Sequence, residues 1–393
     1  MRAETKGEPM NILFLLGVYP SYGGVEKVTT ILANAFVERH HNVDIVSFEQ
    51  PHPEVAEREL DKRVTLHTLS YPVSSLTNRR KLRDIVTSGN MDIIVSQWCV
   101  PYYVTRLCKQ ACKGTKCKIV SVHHTIPNTN GRIQSIMTDI RQHKGIIILN
   151  KLKLFAVRTF SRLSLRYSYN KSDRYVVLSP SYIPIAQKYM WLRDTSKMLA
   201  IYNPVTIELP QKVNTTKQKE IIYVGRIEDN QKRTQRLLEI WSLLEEAYPD
   251  WRLTIVGDGP DRGKLEQGIK DRQLTRVSIE GFQDPKAYYD RASMLLLVSE
   301  FEGFPLVIVE GMSYGVVPVV YGSYVSVYDI ITDGEDGYIT SMPFSAEETA
   351  KRLRHLMDND DERRRMARNA VKASKKFAPE NIIEQYEQLF KSV

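Results

Sequence analysis

Two glutamates, Glu302 and Glu310, lie in the stretch 299–320, SEFEGFPLVIVEGMSYGVVPVV. The apolar run at 294–298 reads as a strand and the run after Pro305 as a helix, so both carboxylates stand where a strand hands over to a helix. Proline suits the first helical turn, where its missing N–H is no loss. The N–H groups of that turn and the helix dipole make a site for an anion. Glu302 sits at its lip, and Leu306 and Glu310 share one helix face. A glutamate near a helix start often does no more than offset the dipole. Glu310, however, lies among Val307, Ile308, Val309 and Met312, and a carboxylate in such surroundings needs a partner. A pair of sugar hydroxyls would be one.

A second stretch, 223–232 (YVGRIEDNQK), ends a strand in Gly225 and places Arg226 and Lys232 in the loop that follows. Fixed cations there would stabilise a diphosphate as it departs with growing negative charge. Arg grips two phosphate oxygens at once, whereas Lys acts as a point charge. The plainer reading is a solvated basic loop. Gly23 and Gly24 fall between the first strand and first helix, where glycine lets backbone approach a ligand. The G-x-G-x-x-G dinucleotide fingerprint is absent, and VGDGP at 256–260 reads as a strand-to-helix turn. His123 and His124 close a strand. They lack a spaced third ligand and the H-x-x-x-H pattern of a metal site, which leaves a histidine hydrogen-bonding beside a sugar or a structural one.

The elements that must hold these residues come in two runs. Strands at 11–17, 43–48, 92–96, 118–122 and 174–178 alternate with helical stretches such as 25–40. The alternation restarts after Pro204 with strands at 221–224, 252–256, 277–280, 294–298 and 317–320 and helices at 234–247 and 261–270. The polar stretch 210–220 reads as the linker. Alternation of this kind predicts two α/β units with parallel sheets covered on both faces. Ligands of such sheets bind outside the carboxyl ends of the strands, where all the residues named above fall.

The 393 residues exceed one ordinary core. With 42% hydrophobic and 26% charged residues the composition is that of a globular protein, and no apolar run reaches the roughly 18 residues of a membrane span. Residues 1–9 are polar, lack the layout of a signal peptide and read as an extension before Met10. Cys99, Cys108, Cys112 and Cys117 have spacings that fit zinc poorly and are expected to be reduced thiols of a cytoplasmic protein. The net charge of +9 favours an anionic partner. It is concentrated at 132–174, with ten Lys and Arg against two Asp. Within it, residues 151–174 mix Lys and Arg with Leu, Phe, Val and Tyr, as in a helix lying on an anionic membrane surface or a packed helix with a basic outer face.

Taken together, these motifs resemble the family-4 retaining glycosyltransferases of the two-domain GT-B type. The resemblance covers most of residues 10–390 and is sharpest over 221–340. Glu302 and Glu310 match the family's paired glutamates. VGR with a following Lys, VGDGP and the EGF at 280–282 occur in the expected order, and GGVEK at 23–27 and His123 match the N-terminal half. The resemblance implies an α/β GT-B architecture, two Rossmann-like domains with parallel sheets facing across a cleft. The acceptor domain would span 1–205, the donor domain 206–375, and a helix at 376–393 would pack back toward the first. Glu310 would hold the ribose of a nucleotide, Glu302 the donor sugar, and Arg226 and Lys232 the diphosphate. Backbone from Gly303, Phe304, Leu306 and Val307, with Gly24 and Gly225, would complete that cradle. Gly281 and Phe282 would lie near the base and His123 at the transferred sugar. No cofactor and no metal are implied. The donor would be a nucleotide-diphosphate sugar, with UDP as the nucleotide. The acceptor would be a glycan, lipid-linked in surface polysaccharide synthesis, at the inner face of the cell membrane.

The chain departs from the family pattern in places. The gap from Arg226 to Lys232 is one residue longer than usual, which makes Arg233 a rival. Pro305 stands where Gly is common, His124 where Asp is frequent and Asp329 where Glu is usual. Other readings are a sugar-nucleotide epimerase on the same scaffold and an inactive nucleotide-sugar binder. A nucleic-acid partner is not expected, because no binding module accompanies the charge.

Overall fold

The computed structural model of the protein describes residues 8–141, 143 and 145–393. Most of the expected extension at 1–9 therefore lies outside the described residues, as do positions 142 and 144 of the basic segment. The chain forms two compact units, Met1–Pro204 with Pro379–Val393, and Val205–Ala378.

In the first unit the order is β1 (Asn11–Leu15), α1 (Gly24–Glu38), β2 (Asn42–Ser47), α2 (Pro53–Glu59), β3 (Thr65–Thr68), α3 (Leu76–Ser88), β4 (Ile93–Ser96), α4 (Tyr102–Ala111), β5 (Lys118–His123), α5 (Gly131–Arg141), α6 (Ile147–Lys171), β6 (Arg174–Val177), α7 (Tyr182–Met190) and β7 (Met198–Ala200). The strands make one parallel sheet ordered β3-β2-β1-β4-β5-β6-β7. Its central strands are continuous apolar runs, buried as a parallel sheet between helices demands. The edges β3 and β7 are short and β3, a mixed Thr-Leu-His-Thr, is largely exposed, which is how a sheet blunts its edges. β7 is apolar but only three residues long, too short a run for the sequence pattern to reveal.

The second unit runs β8 (Gln218–Val224), α8 (Gln235–Trp241), β9 (Arg252–Val256), α9 (Arg262–Asp271), β10 (Val277–Gly281), α10 (Lys286–Arg291), β11 (Ala292–Leu297), α11 (Leu306–Ser313), β12 (Val317–Tyr321), α12 (Val327–Ile330), β13 (Tyr338–Thr340), α13 (Ala346–Asp358) and α14 (Asp360–Ser374). Its parallel sheet is ordered β10-β9-β8-β11-β12-β13. In both units the order reverses beside the first strand, at β1/β4 and β8/β11. Successive connections leave in opposite directions there and open a crevice at the strands' carboxyl ends.

The last helix, α15 (Pro379–Lys391), belongs to the first unit. It lays Phe390 5.7 Å from the Phe36 ring of α1, and Glu387 accepts from Arg39 at 3.0 Å. All four cysteines are free and buried, and burial pushes the Cys99 thiol up to about 12.

Two expectations need correction. The polar stretch 210–220 is not the linker, since the division falls at Pro204/Val205. Asn214 donates to the Asp290 carbonyl at 3.2 Å, Lys217 Nζ donates to the carbonyls of Tyr289 and Asp290 at 2.8 and 2.7 Å, and β8 begins at Gln218. Asn214 and Lys217 cap the end of α10, while Gln211, Lys212, Thr215 and Thr216 face solvent. The helix expected at 234–247 stops at Trp241, after which Leu243 and Leu244 donate to Ile240 and Trp241 in tighter three-residue turns.

Glu220, fully buried in β8, accepts from Arg291 at 2.8 and 3.1 Å and from Thr254 at 2.6 Å. Burial alone would raise its pKa, but these bonds and the charges of Arg291 and Arg252 outweigh it and hold the carboxyl below the ordinary glutamate value. Its contribution to stability is therefore present above that value and lost as pH falls through the lower, folded-state one. Glu220→Ala leaves Arg291 without its partner and should cost about 3 kcal/mol in denaturant unfolding at neutral pH. An unchanged midpoint would show that the cluster contributes nothing.

Candidate functional site

The expected donor residues gather at the β8/β11 switch point of the second unit. The loop after β8 is shaped by backbone packing. Ile227 N–H donates to Asp258 at 2.9 Å and Gly225 N–H to Val256 at 3.0 Å. A Cβ on Gly257 would stand 1.9 Å from the Gly225 carbonyl oxygen, so only glycine permits this approach. The glycines of VGDGP thus hold the 225–227 loop in place. Beside them, Gly281 has φ +74° and Phe282 extends an exposed ring from the end of β10.

The loops after β8 and β11 are joined by side chains. Lys232 Nζ lies 2.6 Å from Glu302 Oε1. Gln231 Nε2 donates to the Phe301 carbonyl at 3.1 Å and to Glu302 Oε2 at 3.4 Å, and Glu300 N–H donates to the Gln231 carbonyl at 2.7 Å. Lys232 and Glu302, read from the sequence as contacts to different parts of a donor, are thus an ion pair. Arg226 is not drawn in: it is mostly exposed and meets Glu228 at 3.0 Å. Arg233 faces Glu300 at 3.7 Å. Phe304 is buried with its ring 5.8 Å from Phe377, while Gly303, Leu306 and Val307 are half-buried at the entrance to α11.

Glu310 is buried on α11, as its apolar neighbours imply, and its partners come from the protein. Thr206 Oγ1 donates to Oε1 at 2.5 Å and Tyr289 Oη to Oε2 at 3.1 Å. Burial and the adjacent Glu310 charge raise Tyr289 well above the usual phenol value, keeping it a neutral donor. A carboxylate has about four lone-pair sites; two are used here, leaving one on each oxygen for a ligand diol.

In the first unit Gly24 opens α1, exposed, after the loop that follows β1. His123 ends β5 and is buried, its Nδ1 2.7 Å from Tyr175 Oη and its Nε2 2.9 Å from Thr125 Oγ1. The ring of His124 meets the Gln97 amide oxygen through Nε2, and its buried Nδ1 has no hydrogen-bond partner, nor has the Gln97 amide nitrogen. Both nitrogens of His123 are therefore engaged, whereas His124 and Gln97 keep polar atoms unmatched beside the β1/β4 switch point. Sequence reading missed Gln97, Tyr175, Thr206 and Tyr289. Gln97 carries a positional signal, being first after a switch-point strand. The other three act from distant segments and leave none.

Burial holds His123 at a pKa of about 4, and burial with the neighbouring His123 holds His124 at about 3, both below the ordinary 6.5. The unfolded chain then binds protons first as pH falls below 6.5, so stability is full above that value and declines toward pH 4 and below. Denaturant unfolding at about pH 5 should show a loss of about 2 kcal/mol per histidine relative to neutral pH, and His124→Asn should remove about half of it. A flat profile between the two pH values would contradict this burial.

Residues 22–209 match the model of glycosyltransferase family 4, and residues 205–373 that of glycosyl transferases group 1. The chain is 24% identical over 394 residues to the N-acetyl-alpha-D-glucosaminyl L-malate synthase of Bacillus anthracis, covering 95% of each chain. It is also 24% identical, over 98% of its own length and 99% of the other's, to a Campylobacter jejuni enzyme. That enzyme is the GalNAc-alpha-(1->4)-GalNAc-alpha-(1->3)-diNAcBac-PP-undecaprenol alpha-1,4-N-acetyl-D-galactosaminyltransferase. The fold is shared with Anabaena HepE crystallised with UDP, at TM-score 0.75 and 17% identity over 98% of this chain and 100% of that one. With matching models over both units and the Rossmann-like order of both sheets, the chain belongs to the family-4 glycosyltransferases of GT-B fold.

Proposed function

We propose that the protein is a retaining, metal-independent glycosyltransferase that moves a sugar from a UDP-sugar to a glycan acceptor. The observation that carries this reading is the placement at the β8/β11 switch point of a paired Lys232–Glu302 and of a Glu310 with two acceptor sites left over. Glu310 takes the ribose hydroxyls. Lys232 and Arg226 neutralise the diphosphate, Lys232 exchanging part of its hold on Glu302 for phosphate and Arg226 turning in from Glu228. Glu302, with its hold on Lys232 loosened, accepts from the donor sugar. Backbone at Gly225, Gly303, Phe304, Leu306 and Val307 cradles the phosphates, and Gly281 with Phe282 flanks the base. From the first unit, Gly24 serves the diphosphate and His123 the transferred sugar, its Nε2 exchanging Thr125 for a sugar hydroxyl.

The C1–O bond to the β-phosphate breaks while the acceptor oxygen bonds to C1 on the same face. The acceptor proton passes to the departing phosphate oxygen, giving UDP and a glycoside of unchanged anomeric configuration. Cations aimed at that oxygen stabilise its growing charge, and they are why no metal is required. A UDP complex of the HepE structure and the undecaprenol-linked substrate named for the Campylobacter relative support a UDP donor and a lipid-linked acceptor. The site of action is then the cytoplasmic face of a membrane, in polysaccharide or glycoconjugate synthesis.

A panel of UDP-, GDP- and ADP-sugars without added metal tests the donor by thermal shift and nucleotide release. UDP-sugars should stabilise the protein, and Glu310→Ala should abolish the shift. A shift with another nucleotide would overturn the UDP assignment, and an epimerised sugar nucleotide as product would replace transfer with epimerisation. Lys232→Ala should lower kcat roughly 100- to 1,000-fold. Thr206→Val and Tyr289→Phe, each removing one donor from Glu310, should raise the KM for the donor about tenfold with little change in kcat. A loss confined to kcat would contradict the ribose role of Glu310.

A further inference from the structure

Helix α6 is apolar on two opposite sides, and among the described residues only one of them is covered. Its inner strip contains Leu154, Val157, Ser161, Leu165 and Ser168, half-buried or buried. The C-terminal part is seated closely through serines: Ser164 Oγ donates to the Val100 carbonyl at 2.6 Å and Ser168 Oγ to the Cys99 carbonyl at 2.8 Å. On the opposite strip Ile148, Leu152, Phe155 and Leu163 recur at helical spacing, with Phe160 adjoining, and all five are exposed. Phe155 is 71% and Phe160 62% exposed. From Ile147 to Phe160 no residue of the helix is fully buried.

Charge frames the outer strip. Lys151 and Arg158 lie along one side of it and Lys153 along the other, and residues 147–171 contain no Asp or Glu. Arg162 donates to the Tyr189 carbonyl at 2.8 Å and stacks 4.0 Å over the exposed ring of Trp191, continuing the patch to the residue that ends α7. Exposed aromatic and aliphatic side chains in one patch mark an interaction surface. Basic residues flanking an apolar strip, with an amphipathic indole beside it, match a surface that is anionic outside and apolar beneath.

We propose that the outer face of α6 docks on an anionic lipid bilayer, with Phe155, Phe160 and their neighbours entering the acyl boundary and the flanking Lys and Arg lying among the headgroups. The proposal deepens the reading of the acceptor as lipid-linked and rests on it for its purpose, not for its physics. A bilayer fits better than a protein groove, because large apolar groups dominate the strip, interrupted by Thr159 and ending at Arg166, and the only charges along the helix are positive. Two forces then act together. The electrostatic part is screened by salt, whereas the apolar part is not.

Co-sedimentation of the full chain with phosphatidylglycerol–phosphatidylcholine vesicles and with phosphatidylcholine vesicles tests this, with sugar transfer to a water-soluble acceptor measured in parallel. The wild type should bind the anionic vesicles, more weakly but still measurably in high salt. The double variant Phe155→Ser/Phe160→Ser should lose about tenfold or more in vesicle affinity at every salt concentration. Lys151→Glu/Lys153→Glu should lose the preference for anionic lipid. Both pairs, being exposed, should keep the wild-type unfolding midpoint and the rate with the soluble acceptor. Absence of wild-type binding to anionic vesicles, or binding unaffected by either pair, overturns the proposal. So does a wild-type dimer that Phe155→Ser converts to monomer, since a second copy would then be what covers the face. A failed transfer assay with intact vesicle binding would instead count against the proposed reaction alone.

Discussion

A buried carboxylate must be supplied with donors, and the second unit is arranged around that requirement. Glu302 and Glu310 lie on either side of the turn into α11, and neither is stable there alone. Lys232 reaches Glu302 from the loop after β8, tying together the two loops that the switch in strand order drives apart. Thr206, just inside the unit's first residue, and Tyr289 of α10 reach Glu310. The same pairs that stabilise the fold set carboxylate and ammonium groups at the carboxyl ends of β8 and β11. A charged ligand entering there meets groups already oriented, at the cost of sharing or displacing protein partners.

The backbone beneath them is equally constrained. Gly257 lies against the Gly225 carbonyl so closely that no side chain fits, and Ile227 and Asp258 complete the lock. This gives VGDGP a physical reason that differs from phosphate binding. Its glycines serve the neighbouring loop, which carries Arg226 and Lys232. A short motif can therefore persist in a binding region without touching the ligand.

Much of this was legible in the residues. The central strands are continuous apolar runs, and the glutamates announce themselves because one sits in apolar surroundings. Edge strands β3 and β7 were not legible, β3 being short and mixed in polarity and β7 apolar but only three residues long, nor was the early end of α8, where the helix relaxes into tighter turns. Lys217 and Asn214 misled, since a polar stretch that caps α10 looks like a linker until its partners are known. The candidate site was legible as a set of residues but not as a set of pairs. No local pattern indicates that Lys232 neutralises Glu302, that Thr206 meets Glu310, or that both nitrogens of His123 are taken while one on His124 is not. These depend on contacts between segments up to about a hundred residues apart. Helix α6 shows the reverse. Its mixed composition pointed equally to a packed helix and to a surface one, and the structure gives each description its own face.

The central claim is that a nucleoside diphosphate is held between the loop carrying Arg226 and Lys232 and the start of α11. A crystal structure of the protein with UDP tests it most directly. The account predicts the diphosphate within hydrogen-bond reach of Lys232 and the ribose hydroxyls on Glu310, with Thr206 and Tyr289 still bound to the carboxylate. UDP seated elsewhere, or seated there with its ribose turned away from Glu310, would contradict it.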